Sequence, residues 1–416
     1  MPLLRLSSAN AAITAGFSAA ALAALLMSSP CAIAQTGASA QTGHSASSAT
    51  KVTIQKDTPQ IGGEDPVTIR RTRTGDGSKP EFLSATVLPG RDMNLFSVTA
   101  YLPGKGEINV IHSPSLAEAA KVLGGPDDPF GTKSFTFGAA FLVPFANRIV
   151  GPLSADQKTV NSSWNGHAFT LPANWKGKLP QAVPHAIHGL MLTAKADKVS
   201  EMKTADGGLV TGIFHEGDFG GLWFSKTDVR ISVDLSGDAV IATVVATNTG
   251  NKPEPVGIGW HPYFNIPSGD RTQVRVQEPG VMHAEVNNYD DVFVTGKLTP
   301  VAGTPYDFTV KGGKALDHMF LDDNWVDLKK DAEGHSSSEI IDPAAKYGLR
   351  ITALTRRVNA VQVYAPIDQN YVALESQFNY NDPFGKEWKG RDTGMVTLQP
   401  GQSVTWKVRL ELFVPQ

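Results

Sequence analysis

Five short polar stretches carry side chains that could move protons or hold hydroxyl groups. Glu375 follows the apolar run Val372-Ala373-Leu374 and precedes Ser376-Gln377. A carboxylate buried behind such a run must be paired, hydrogen-bonded or shifted in pKa, which would suit a general base. The plainer reading is a strand-edge glutamate facing water. His261 stands between Trp260 and Pro262-Tyr263-Phe264. Stiff neighbours would fix its ring, aromatic rings suit the apolar faces of a sugar, and imidazole titrates near neutral pH. A core or loop role fits the same pattern.

Asn147-Arg148 ends the apolar stretch 138–146. The guanidinium reads either as a fixed fork for sugar hydroxyls or as a surface ion pair. His185 and His188 are three apart, a spacing that could ligate a metal, but no matching Cys or acidic cluster lies nearby. Either could be a satisfied structural histidine. Asp317-His318, within Ala315-Leu316-Asp317-His318-Met319-Phe320, is a further polar pair beside apolar residues. The sequence has no G-x-G-x-x-G, no P-loop, no H-E-x-x-H and no G-x-S-x-G, so phosphate cradling and serine hydrolysis have no local support.

The elements that must position these residues read as strands. Val404, Trp406, Val408, Leu410, Leu412 and Val414 alternate with polar residues after the turn Pro400-Gly401. Ile231, Val233 and Leu235 lead through Ser236-Gly237-Asp238 into a β-branched run at 240–247, which predicts a hairpin. Leu349, Ile351 and Ala353 repeat the alternation, and 361–364 is another β-rich run. Helical candidates are few, 115–123 being the best. An all-β fold, a large antiparallel β-sandwich with few short helices, is the economical expectation.

The chain has 416 residues, with 37 Lys+Arg against 40 Asp+Glu, 40 Gly and 27 Pro. That near-neutral balance gives no electrostatic footprint for nucleic acid or an anionic membrane. Such a length can bury a large core without disulfides or a structural metal. Residues 1–34 read as a signal peptide: Arg5, then an Ala-rich apolar run, then Ala32-Ile33-Ala34 before a cut at Gln35. A retained anchor and lipidation at Cys31 are the alternatives, though Pro30 fits a lipoprotein signal poorly. Cys31 is the single cysteine, so the mature chain would have no thiol. Residues 35–61, rich in Ser, Ala, Thr, Gly and Gln, read as a flexible linker, and 62–416 as one domain. The expected compartment is the periplasm, with secretion beyond it possible.

In order along the chain, these segments resemble the motifs of the aldose 1-epimerase (galactose mutarotase) family. Asn147-Arg148-Ile149 is similar to N-R-I and His188-Gly189 to the first histidine of L-H-G. His261 with Tyr263-Phe264-Asn265 is similar to H-x-Y-F-N, Asp317-His318 to D-H, and Glu375-x-Gln377 to E-x-Q. Val361-Gln362-Val363-Tyr364 and Leu398-x-Pro400-Gly401 also fit, so the resemblance covers about residues 66–414.

The resemblance implies a β-supersandwich with a sugar cleft, acting on a free aldohexose and interconverting its α and β anomers. Glu375 would take the proton of the anomeric hydroxyl while His261 protonates the ring oxygen. The ring opens to the aldehyde, rotates about C1–C2 and recloses, and the two groups exchange roles. His188, Asp317, Arg148 and Asn147 would hold the sugar. Such a reaction needs one acid and one base and neither cofactor nor metal. Two departures stand out. The family commonly has a second Gly and a nearby Trp after L-H-G, where this chain has Leu190 and no Trp before Trp223; and Asn381-Asp382-Pro383-Phe384 follows Glu375-x-Gln377 where the family has Pro-Asp and a later Asn. Competing functions are an epimerase for another sugar or a sugar phosphate, and a non-catalytic carbohydrate-binding protein on the same fold.

Overall fold

The computed structural model describes residues 50–75, 77–123 and 128–415. The proposed signal peptide, its cleavage point and most of the expected linker lie outside these residues. The end of that linker does not behave as one. Val52–Lys56 is a strand, paired residue for residue with Val67–Arg71. The β-branched residues Val52, Thr53 and Ile54 supply strand character that the polar composition of 35–61 as a whole conceals.

Two large antiparallel sheets form the body. One has nine strands, with Gly208–Gly217, Thr227–Leu235, Ala239–Asn248, Ser403–Phe413 and Tyr347–Ala353 as consecutive neighbours. The expected hairpin is there: Thr227–Leu235 pairs with Ala239–Asn248 in unbroken register. The other has seven, in the order Val294–Pro300, Gly280–Val286, Leu321–Leu328, Ala360–Ala365, Tyr371–Gln377, Gly259–Asn265 and Ala139–Leu142. They pack face to face through aromatic side chains. Trp406 of the nine-stranded sheet donates its ring N–H to the Ser376 carbonyl of the seven-stranded sheet (3.1 Å), with its ring 6.1 Å from that of Trp260. Burying such rings dominates the core energetics, and the indole N–H keeps a partner.

A five-stranded sheet, from Val52–Lys56 to Gly106–Asn109, leans on the larger one. Arg71, itself buried, ties the two together by pairing with both Glu81 and Asp206 at 2.6 Å. The expected helix runs Leu116–Leu123. Ser115 caps it: its hydroxyl accepts the Glu118 N–H (3.2 Å), and the Glu118 carboxylate accepts the Ser115 N–H in return (3.0 Å). Among the described residues no helix is long and apolar enough to cross a membrane.

Candidate active site

Strand alternation builds the site on the seven-stranded sheet. In Gly259–Asn265, Trp260 and Phe264 turn to the core, their rings 6.0 Å apart. The intervening His261 and Tyr263 therefore face the other way, 4.8 Å apart, into a cavity of about 490 Å³. In Tyr371–Gln377, Val372 and Leu374 are core residues, while Tyr371 and Glu375 line the cavity. Gln362 and Tyr364 come from Ala360–Ala365 by the same rule, and Asp322 from Leu321–Leu328.

Opposite this floor, two residues of one segment pair with two of another, Ile187 against Arg148. The His188 N–H donates to the Asn147 carbonyl (2.9 Å). Asn147 and His188 both hold positive φ, 62° and 61°, a conformation that non-glycine residues adopt at a cost. The reward is placement: His188 lies 5.0 Å from the His261 ring, and Phe135 stands edge-on to His188 at 4.6 Å.

Hydrogen bonds join the polar residues in two sets. Arg148 donates to the Asn147 side-chain oxygen (3.0 Å) and to Asp322 (3.2 Å). Gln362 donates to the other Asp322 oxygen (2.7 Å) and accepts from Asn147 (2.9 Å). Gln377 donates to Glu375 (2.9 Å), whose second oxygen is 3.3 Å from His261 Nε2. Burial raises the Glu375 carboxyl well above its usual range, and the neighbouring Asp322 raises it further. Burial likewise lowers His261 to about 3 and takes His188 well below its usual value. Both shifts favour the uncharged forms, so the 3.3 Å contact between Glu375 and His261 is not held as an ion pair.

A buried acid and imidazole in contact, at the base of a cavity with a fixed guanidinium, can relay a proton between two oxygens of one ligand. The sequence profile of the aldose 1-epimerase family matches residues 106–411. The chain belongs to this family. Among solved structures, a galactose mutarotase-like protein from Clostridium acetobutylicum superposes with a TM-score of 0.66 at 17% identity, over 88% of this chain and 99% of that one. Galactose 1-epimerase from Lactobacillus acidophilus gives 0.61 at 16%, again over 88% and 99%. A GalM/aldose epimerase homologue from Caenorhabditis elegans gives 0.61 at 16%, over 80% and 96%. At these identities the likeness is one of fold. A stretch of 144 residues is 29% identical to the uncharacterized protein YphB of Escherichia coli K12 and spans 40% of that protein.

Of the residues expected to serve an aldose 1-epimerase, Glu375, His261, His188, Arg148 and Asn147 converge on the cavity. Asp317 does not. It lies in the loop before Leu321–Leu328 with its side chain 66% exposed; its carboxylate meets the His318 ring at 3.7 Å, and its backbone oxygen accepts from Arg271. His318 beside it is more exposed still, at 79%. Asp322, inside the strand, lines the cavity instead. His185 faces elsewhere: its Nδ1 meets the Val183 carbonyl (2.9 Å) and its ring packs on Phe293.

No tryptophan stands between His188 and Trp223, but an earlier one lines the cavity. Trp175 precedes the histidines and reaches the cavity through a bridge to His185, its ring 5.1 Å from Phe135. Gln362, Tyr364 and Tyr371 were within reach of sequence reasoning, since they share the alternation that exposes Glu375. Trp175 and Tyr289 were not, because they arrive on loops.

Proposed function

We propose that the chain is an aldose 1-epimerase acting on a free aldohexose by acid–base ring opening. The observation that carries this reading is the contact between Glu375 and His261 at the base of a cavity whose far side is Arg148 and Asp322. As a carboxyl and a neutral imidazole the pair would carry one proton, which is the inventory anomer exchange requires. One group takes the proton of the anomeric hydroxyl, the other delivers one to the ring oxygen, and reclosure on the other face reverses the transfer. Arg148, Asn147, Asp322 and His188 then hold hydroxyls and steady the open-chain oxygen, while Trp175 and Tyr263 offer ring faces to the sugar.

The test is polarimetry on freshly dissolved α-glucose and α-galactose. The wild-type chain should accelerate mutarotation, and Glu375→Gln should lower kcat by roughly 10²- to 10⁴-fold. Sugar binding without acceleration would instead favour a carbohydrate-binding protein on the same fold. A sugar phosphate belongs in the same assay. The cavity mouth carries Lys176 and Lys178, and Lys178 has no ion-pair partner among the described residues. Preference for the phosphate, lost on replacing both lysines, would move the substrate to that class.

We further propose export to the periplasm with cleavage before Gln35, on the strength of the apolar run and Ala32-Ile33-Ala34. N-terminal sequencing of the protein recovered from a periplasmic extract should begin at Gln35; a cytoplasmic chain starting at Met1 would refute it.

A further inference from the structure

A second histidine–carboxylate pair stands beside the cavity, and the chemistry above leaves it unused. His283 Nε2 is 2.7 Å from Asp323 Oδ1, and the two residues are 6% and 0% exposed. Tyr306 stacks flat on the imidazole, 4.0 Å away and inclined by 11°, with the Trp325 ring at 5.4 Å. The other carboxylate oxygen of Asp323 accepts two further donors: the Tyr289 hydroxyl at 2.9 Å and the Asp322 backbone N–H at 3.2 Å. One buried carboxylate thus fixes a tyrosine of the cavity wall and the residue that pairs with Arg148.

Tyr289 needs such an anchor. It lies in the connection between Gly280–Val286 and Val294–Pro300, is 42% exposed, and lines the cavity with its ring 5.1 Å from Phe320. Its immediate neighbours fasten the opposite loop. Asp290 accepts the Leu179 N–H (3.1 Å) and Asp291 the Val183 N–H (2.9 Å). This connection therefore joins both walls of the mouth, and Asp323 is its attachment to the sheet. A buried ionic group seldom stabilises a fold more than an apolar one of the same volume would, whereas it does fix geometry.

We propose that Tyr289 is a specificity-determining wall for the sugar, and that His283 is a positioning residue acting on it through Asp323. This rests on the sugar-binding reading of the cavity, although not on turnover. A tyrosine ring presents a flat apolar face to the C–H face of a pyranose, and a hydroxyl tied to Asp323 sets the angle of that face. Exchanging one hexose for another changes which hydroxyls meet this wall.

The test combines calorimetric affinity for galactose and glucose in the Glu375→Gln background with kcat and KM by polarimetry in the otherwise native chain. Tyr289→Ala should weaken binding of the preferred sugar about tenfold, raise KM in proportion and narrow the difference between the two sugars, with most of the loss in KM rather than kcat. Tyr289→Phe, which keeps the ring and loses the anchor, should fall between. His283→Phe should weaken binding, while His283→Gln, which retains a donor towards Asp323, should restore it. The variant carrying both Tyr289→Ala and His283→Phe should lose clearly less than the sum of the two single losses, because His283 and Tyr289 act through the same Asp323 carboxylate. Additive losses, or unchanged affinity in Tyr289→Ala with a normal melting curve, overturn the inference. A wild-type chain that binds sugar without accelerating mutarotation sinks the epimerase reading and leaves these affinities to decide the present one. No binding of either sugar overturns both.

Discussion

Burial and Asp322 together raise Glu375, and burial lowers His261 to about 3, so of the two groups the carboxyl is the one favoured to carry a proton. The one-proton state is the competent one, so the usual assignment of the pH limbs is reversed. Activity should fail on the acid side as His261 gains a second proton, and on the alkaline side as Glu375 loses the only one. Replacing Asp322 with Asn removes a charge that raises Glu375 and frees Arg148, which lowers it. The alkaline limb should then move to lower pH, with kcat/KM down by roughly tenfold or more. Asp317→Asn, on an exposed loop, should leave both limbs in place and kcat/KM within about twofold. Profiles of kcat/KM against pH for the two variants check this; an unmoved alkaline limb in the Asp322 variant would remove Asp322 from the account. Apolar runs draw attention to Glu375, His261 and the Asn147-Arg148 pair, but it is the resemblance to the family motifs that singles out His188 from His185 and gives each residue a role. On the resemblance to D-H the sequence points to Asp317 and passes over Asp322, since which aspartate faces the cavity depends on where a strand begins, and nothing local marks Leu321 as its first residue.

At the scale of elements, the period of two carried most of the information. Trp260 and Phe264 against His261 and Tyr263, or Leu374 against Glu375, are the same rule read on adjacent strands. What alternation cannot give is the pairing of distant segments. The short contact of Arg148–Ile149 with Ala186–Ile187 is only two residues long, yet it sets His188 beside His261. Gly189 makes it possible: its φ is 76°, and a Cβ there would lie 2.3 Å from the Val143 oxygen. Gly189→Ala should cost about 2–4 kcal/mol and displace His188 with it. Thermal melting together with kcat would show this; a variant with native melting and native turnover would mean that the backbone adapts without moving the histidine.

For the molecule as a whole, fold class, hairpin and helix were legible because each is a local or periodic signal. The five-stranded sheet was not, since its first strand lies at the end of a stretch whose overall composition is that of a linker. The hydrogen bonds around the cavity are also assembled from remote parts of the chain. Asn147 bonds Gln362 across 215 positions, Arg148 bonds Asp322 across 174, and Ala146 is tied to Asn379 across 233. Closing loops of that length is entropically costly and comes late, so this topology belongs among slow folders of high contact order. Hairpins such as 227–248 can form early with no site present. On dilution from denaturant, strand content by circular dichroism should therefore recover ahead of sugar turnover, and simultaneous recovery would argue against this order. Until these remote segments meet, the nascent protein offers edges and apolar faces to its surroundings, and its yield would be set by how well that interval is chaperoned.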